Sequence, residues 1–517
     1  MSPSVVACVQ RHLDTYIDSV LLLAATRAMG STDGITWATA VMATPANLEV
    51  LTDAGVADPL LDDASARDLV LVALGEDDDA VRRALAAGSD SLFGTRGTST
   101  PDASPSVDRD LTSAVRRLSE ANIAIVSVPG PYAALEAHKA LDAGLDVLLF
   151  SDNVSVSDEV DLKRHAVDVG RLLMGPGAGT AALAGCGLGF ANVVRPGRVG
   201  VVAAAGTGAQ EAMSLLDGWG EGVTQVIGVG GRDLSAEVGG SMAVHAVKAL
   251  DRDPATEIIL LVSKPPDLAA AQAVVDAART TPIAAALVGL PEGTELPCAA
   301  GLASTLEGGV RQTLAALGRP APPPSNALRV VVEAALDGLD PYRQLVRGIY
   351  SGGTLCYEAL TVLEPWLGPV WSNTPLDHRF HVPAPAGSHT CIDMGEEEYT
   401  KGRPHPMIDP EARLEVLRSL GSESDVATVL LDVVLGYGAH PDPASLLAPA
   451  CAELARPDGP RVVVYVLGTA GDPQDVGRQR SSFAEAGAIV ATTGARAALA
   501  AAAIARRDPS IVDITLP

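Results

Sequence analysis

Val199-Gly200-Val201-Val202-Ala203 leads into Gly206-Thr207-Gly208-Ala209-Gln210-Glu211-Ala212, and Val346-Arg347-Gly348-Ile349 leads into Gly353-Thr354-Leu355-Cys356-Tyr357-Glu358-Ala359. Both runs, apolar apart from Arg347, break at glycine and continue as Gly-Thr-x-x-x-Glu-Ala, the pattern of a buried strand turning directly into a helix. The first N–H groups of a helix have no acceptor within it and sit at its positive dipole end, which makes such a turn a ready anion site. Gly206, Thr207 and Gly208, with Gly353 and Thr354, are therefore the candidate phosphate-binding residues. Glu211 and Glu358 follow their threonines by four residues, on the same helix face. A carboxylate beside an anion repels it, so each glutamate either orients a donor or handles a proton, and the alternative is a solvated or capping glutamate.

The likeness extends outward. The next strand of each copy ends in a polar loop, Val229-Gly230-Gly231-Arg232-Asp233 in one and Met394-Gly395-Glu396-Glu397-Glu398 in the other. The third strands run into Lys264-Pro265-Pro266-Asp267 and Gly438-Ala439-His440-Pro441-Asp442-Pro443. Two tandem flavodoxin-like domains explain this, because open α/β sheets bind ligands in the loops after strand carboxyl ends. Strand-like and Ala/Leu-rich helical stretches alternate along the whole chain, which is the signature of α/β domains with parallel sheets. The boundaries expected are a Rossmann-like domain over 1–194 and flavodoxin-like domains over 195–320 and 327–517. A Ser/Thr/Pro-rich loop is expected at Thr95 to Val107, and a semi-rigid spacer at Gly318 to Asn326.

The chain has 517 residues, with 63 acidic and 37 basic side chains and a net charge of −26. No segment supplies the basic stripe that nucleic acid requires, so neither DNA nor RNA is an expected partner. No apolar run approaches the length of a membrane span, since Val426 to Ala439 is broken by Asp432, and no signal peptide is apparent. A cytoplasmic protein is expected. The six cysteines show no C-x-x-C spacing, which argues against a zinc knuckle and a disulfide framework alike.

The densest polar segment is Asp393 to Asp409, which carries acids, Arg403 and His405 directly after a strand. It lacks the rigid spacing of a metal site, and no metal is expected. A substrate loop is the preferred reading, with Arg403 or Arg232 as a fork for a carboxylate or phosphate. Glu211, Glu358, Arg232, Arg403 and His405 are the catalytic candidates; Asp233, Asp393, Asp409 and His440 are the substrate-binding ones. Met42-Ala43-Thr44-Pro45-Ala46-Asn47 and Phe150-Ser151-Asp152-Asn153 are further strand-end turns, and Thr44, Asn47 and Asn153 are the candidate cofactor contacts. None of the glycine-rich turns is a dinucleotide fingerprint or a P-loop.

Arg195-Pro196-Gly197-Arg198-Val199-Gly200-Val201-Val202 with Ala205 to Glu211 resembles the second domain of succinyl-CoA synthetase α chains. Gln225 to Ser235, Gly352-Gly353-Thr354, Lys401 to Pro410 and Leu431 to Pro443, together with Thr44 to Asn47, resemble the FdrA family over nearly the whole chain. The resemblance implies a CoA-binding-type Rossmann domain followed by two flavodoxin-like succinyl-CoA synthetase domains. In the synthetases two helix N-termini clasp a phosphohistidine, yet Pro297-Cys298-Ala299-Ala300-Gly301-Leu302, where that residue would fall, has no histidine. The turn at Gly177-Ala178, where relatives carry Asp-Cys, also departs. What the resemblance implies is a subunit of an oxamate carbamoyltransferase-type complex. Such a complex converts a ureido acid such as oxalurate, plus phosphate, to carbamoyl phosphate by direct transfer, with operon-encoded partner subunits. Phosphate, carbamoyl phosphate or CoA are the ligands implied. An acyl-CoA ligase and a non-catalytic scaffold are the alternatives.

Overall fold

The computed structural model describes residues 6–15, 17, 19–94, 110–291, 293–323, 326–400 and 404–516. The 95–107 stretch, Pro324-Ser325 in the spacer and Arg403 lie outside these residues. The chain forms two compact units, Met1–Val107 with Glu397–Pro404, and Asp108–Glu396 with His405–Pro517.

The expected single Rossmann-like domain over 1–194 gives way to two different pieces. In the first unit, strand Leu69–Gly75 lies between Val6–His12 and Ile35–Met42 and is antiparallel to both. Its unbroken apolar sequence reads like a parallel strand because it too is covered on both faces. Leu69, Leu71 and Ala73 face one cluster with residues of helices Ser19–Gly30 and Asp78–Phe93, while Val70 and Val72 face another with Leu51. The second unit opens with the parallel strands Ile123–Val126, Asp146–Leu149 and Leu173–Met174.

A seven-stranded sheet follows. Its five parallel strands are Pro196–Ala204, Val223–Gly228, Ile258–Ser263, Ile283–Leu287 and Leu302–Ala303, arranged 2-1-3-4-5 in their own order. The hairpin Thr180–Leu183 and Cys186–Gly189, which precedes residue 195, is added to the second strand antiparallel through Val226 and Ala182. The six-stranded sheet is wholly parallel. Leu345–Tyr350, His389–Asp393, Val426–Val434, Arg461–Leu467 and Ile489–Ala491 repeat the 2-1-3-4-5 order, with Val370–Trp371 as an extra edge strand. This is the flavodoxin-like order, whose chain reversal leaves a crevice beside the ends of strands 1 and 3. Gly206 and Lys264 follow those strands in the first repeat, and Gly353 and the 435–440 loop follow them in the second.

The repeats pack through their helices and share one core cluster that includes Ala209, Met213, Leu355, Leu360, Ala498 and Leu499. Their contact is reciprocal. Glu358, on helix Gly353–Leu367, accepts a 2.7 Å hydrogen bond from the N–H of Leu306, the first residue of the last helix of the first repeat. Glu211, on helix Gly206–Gly218, accepts one of 3.5 Å from the N–H of Gly494, the first residue of the last helix of the second repeat. Each glutamate thus helps cap a helix of the opposite repeat. A buried ion pair, Glu307 to Arg496 at 2.8 Å, and a bond from Thr493 Oγ1 to Glu307 at 2.7 Å join the same two helix ends.

Glu307→Ala leaves the Arg496 guanidinium buried without its carboxylate. We expect the unfolding free energy of the full chain, read by urea titration, to fall by about 3–5 kcal/mol.

Candidate functional site

Helices Gly206–Gly218 and Gly353–Leu367 start without side-chain caps, after extended residues Ala205 and Gly352. Thr44, Asp77, Ser155, Asp267, Thr305 and Thr493 cap other helices with their side chains. The two uncapped ends meet. Thr354 N–H donates to Thr207 Oγ1 at 3.3 Å. A methyl group on Gly352 would fall 2.8 Å from Thr207 Cγ2, and one on Gly208 2.9 Å from Thr354 Cγ2. Only glycine permits this approach, because a β-carbon on either side would separate the turns. Thr207 and Thr354 are buried beneath, while Gly206 is exposed and Gly353 half-buried, so the paired ends open outward.

The second turn is held from behind. Asp432, buried, accepts the N–H groups of Ser351 at 2.7 Å and Gly352 at 2.8 Å, and Arg413 donates to its Oδ1 at 3.0 Å and to Ile349 O at 2.9 Å. Satisfying the Ser351 and Gly352 N–H groups internally leaves those of the helix proper facing out.

Asp393 ends the second strand of this repeat and is 2% exposed. Asn373 clamps its backbone with bonds of 2.8 and 2.9 Å, and Gly395 N–H donates to Oδ1 at 2.9 Å. Burial pushes its carboxyl up to about 7, with Lys264 opposing the shift. A methyl group on Gly353 would lie 2.4 Å from Asp393 Oδ2 and 3.3 Å from Lys264 Nζ. One on Gly395 would lie 2.8 Å from His405 Nε2 and 3.1 Å from Asp393 Oδ1. His405 is held down to about 4 by burial and then by Arg413, and its Nδ1 accepts from Met407 N–H at 3.2 Å. A neutral ring with Nδ1 as acceptor carries its proton on Nε2, so His405 is a hydrogen-bond donor there.

The structure therefore brings together Gly206, Thr207, Gly208, Gly353, Thr354, Asp393 and His405. Other candidates have local partners. Arg232 donates to Glu159 Oε2 and to Val154 O, both at 2.8 Å. Asp233 is buried, pairs with Lys163 at 2.7 Å and caps Ala243 N–H at 2.9 Å. Asp409 accepts Glu411 N–H at 3.1 Å, and His440 Nδ1 accepts Asp442 N–H at 3.0 Å. Thr44 and Asn47, in the first unit, form a helix cap: Thr44 Oγ1 accepts Asn47 N–H, and Asn47 Nδ2 donates to Met42 O at 2.8 Å. Asn153, in the second unit, is exposed with φ 59° in the loop between strand Asp146–Leu149 and helix Val156–Asp168. Lys264 was not singled out from sequence, although its loop was, as the polar end of a third strand. Among the described residues no three His, Cys, Asp or Glu side chains are grouped to hold a metal, and no helix is long and apolar enough to cross a membrane.

Residues 349–504 match the family described as CoA-ligase, and residues 6–106 match the one described as AllF, heavy metal-associated domain. Over 512 residues the chain is 36% identical to YahF of Escherichia coli K12, spanning 94% of this chain and 96% of that protein. Over 148 residues it is 31% identical to the α subunit of an ADP-forming succinate–CoA ligase of Staphylococcus epidermidis, 28% of this chain and 48% of the relative. Among solved structures, ATP citrate lyase of Methanosaeta concilii in complex with (3S)-citryl-CoA aligns with a TM-score of 0.31 at 18% identity, covering 41% of this chain and 38% of that one. A dinucleotide-forming acetyl-coenzyme A synthetase of Ca. Korarchaeum cryptofilum aligns with a TM-score of 0.28 at 17% identity, covering 82% and 88%. At these scores neither structural likeness bears on the site.

Glu211 and Glu358 are fully buried, and desolvation raises their carboxyls to about 7 and about 8. A free glutamate releases its proton near 4.5, so between that pH and about 8 these two sites hold more protons in the folded chain than in the unfolded one. Their contribution to stability therefore falls as pH rises through this window. We expect Glu358→Gln to flatten the fall when urea midpoints are compared at about pH 5.5 and 8.5; a variant with the wild-type slope contradicts the assignment.

Proposed function

Because the chain belongs to the FdrA family, we propose that it is the phosphate-binding subunit of a carbamoyltransferase-type complex that works with partner subunits. It would exchange a carbamoyl group between a ureido acid such as oxalurate and inorganic phosphate. The observation that carries this reading is the meeting of two uncapped helix ends, with Thr354 N–H bonded to Thr207 Oγ1 at 3.3 Å. The N–H groups of Gly206, Thr207 and Gly208 and that of Gly353 find no acceptor among the described residues. Two helix ends in contact bring about half a positive charge each, fixed in place before a ligand arrives. That suits a phosphate oxyanion. It also suits a transfer in which negative charge moves between phosphate and carbamoyl oxygens, since preorganised donors act most strongly where charge develops.

Direct transfer fits the missing histidine. Pro297 to Leu302 offers no histidine to carry a phosphoryl group, and the threonines of the two turns occupy the contact between the helix ends. The acyl-CoA ligase reading draws on the CoA-ligase match over residues 349–504, and CoA is a ligand it would require.

The test is phosphate-dependent conversion of oxalurate to carbamoyl phosphate by the full chain with the proteins encoded beside it. ATP-dependent thioester formation in place of that activity would favour the ligase. We expect Gly353→Ala, whose methyl group collides with Asp393 Oδ2, to lower the phosphate-dependent rate at least about tenfold while the far-ultraviolet circular dichroism is unchanged.

A further inference from the structure

At the mouth of the helix Gly353–Leu367, Lys264 Nζ and Asp393 Oδ2 have no hydrogen-bond or ion-pair partner among the described residues. Lys264 Nζ lies 5.7 Å from the centre of the Tyr357 ring and makes no hydrogen bond or ion pair among the described residues. It is one of five lysines in a chain of net charge −26. Half-buried, it leans toward the helix end, 3.3 Å from where a Gly353 methyl group would stand. Asp393 is 2% exposed; its Oδ1 is used by Gly395 N–H, but its Oδ2 accepts nothing from the described residues and is aimed at Gly353. A carboxyl oxygen without a donor on a nearly buried side chain, beside an unpaired ammonium and a set of free N–H groups, is a polar site lacking its third party.

Resting on the phosphate-cleft reading above, we propose that Lys264 is the counter-cation of the bound phosphate and Asp393 the proton relay between that phosphate and the leaving amide nitrogen. The balance closes without any further reactant. A phosphate oxygen attacks the ureido carbonyl carbon and a C–O bond forms. The C–N bond breaks, its electron pair goes to nitrogen, and nitrogen takes the proton from the Asp393 carboxyl. The proton carried by hydrogen phosphate returns to the Asp393 carboxylate. A carboxyl poised near neutrality by burial can serve in both directions. The groups facing it are Lys264, Glu396, Asp432 and His405, and His405 stays uncharged above about 4.

The experiment is calorimetric titration of the full chain with sulfate, which keeps one charge state from about pH 6 to 8. Wild type is expected to bind it, more weakly at the higher pH as Asp393 ionises. Lys264→Met is expected to weaken binding at least about tenfold, and Lys264→Arg to restore it to within about threefold of wild type. Asp393→Asn is expected to abolish the pH dependence while still binding. Equal affinity in Lys264→Met, or an unchanged pH dependence in Asp393→Asn, overturns this inference and leaves the phosphate-cleft reading standing. No binding by wild type overturns both. Lysine-dependent sulfate binding without any carbamoyl transfer from oxalurate supports the site and overturns the proposed reaction.

Discussion

Each flavodoxin-like repeat sends one glutamate into the other, and the rest of the second unit is arranged around that exchange. Glu358 takes the N–H of Leu306 and Glu211 the N–H of Gly494, so the first helix of one repeat is fixed against the last helix of its neighbour. The same positions are used on both sides, as in an isologous contact between two subunits, but here both halves belong to one chain. Burial makes the arrangement specific. A carboxyl moved out of water is costly unless it stays protonated or finds a donor, so both side chains must meet their partners for the repeats to close. Once the helices are seated, Gly208 and Gly352 let their starting turns touch, and the cleft is a consequence of the packing.

That order of causes accounts for the anion site we propose in an acidic protein. Its attraction would come from neutral backbone N–H groups and one lysine, none of which depends on surface charge. Asp432 and Arg413 behind the second turn spend their charges on each other and on the Ser351 and Gly352 N–H groups, which keeps the turn rigid and its field unopposed. Asp393 is the exception, a carboxyl at the mouth itself, and its burial holds it near the point where it is only half ionised at neutral pH.

The duplication was legible because both copies keep Gly-Thr-x-x-x-Glu-Ala at the same place after a strand, and the polar loops after the following strands marked each copy as flavodoxin-like. What lay across the chain was not legible. The spacing of Glu211 placed it on a helix face, but its acceptor role depends on Tyr465 and Gly494, 254 and 283 residues away. Arg232 looked like a free fork in a polar loop, while its partner Glu159 sits 73 residues earlier on another helix. The amino-terminal third misled for a different reason: Leu69–Gly75 is apolar throughout because helices and loops cover both of its faces, and that pattern does not distinguish a parallel neighbour from an antiparallel one. Lys264 carried a signal that went unused, a lysine directly after the third strand of a repeat, beside the crevice such sheets use.

The central claim is that one oxyanion is held between the two helix ends. Crystals of the full chain grown with selenate, read at the selenium absorption edge, test it without reference to any reaction. The account predicts an anomalous peak within hydrogen-bonding distance of the Gly206 to Gly208 N–H groups and of Gly353, with Lys264 Nζ beside it. Selenate ordered only at surface arginines, with none between the turns, would contradict it.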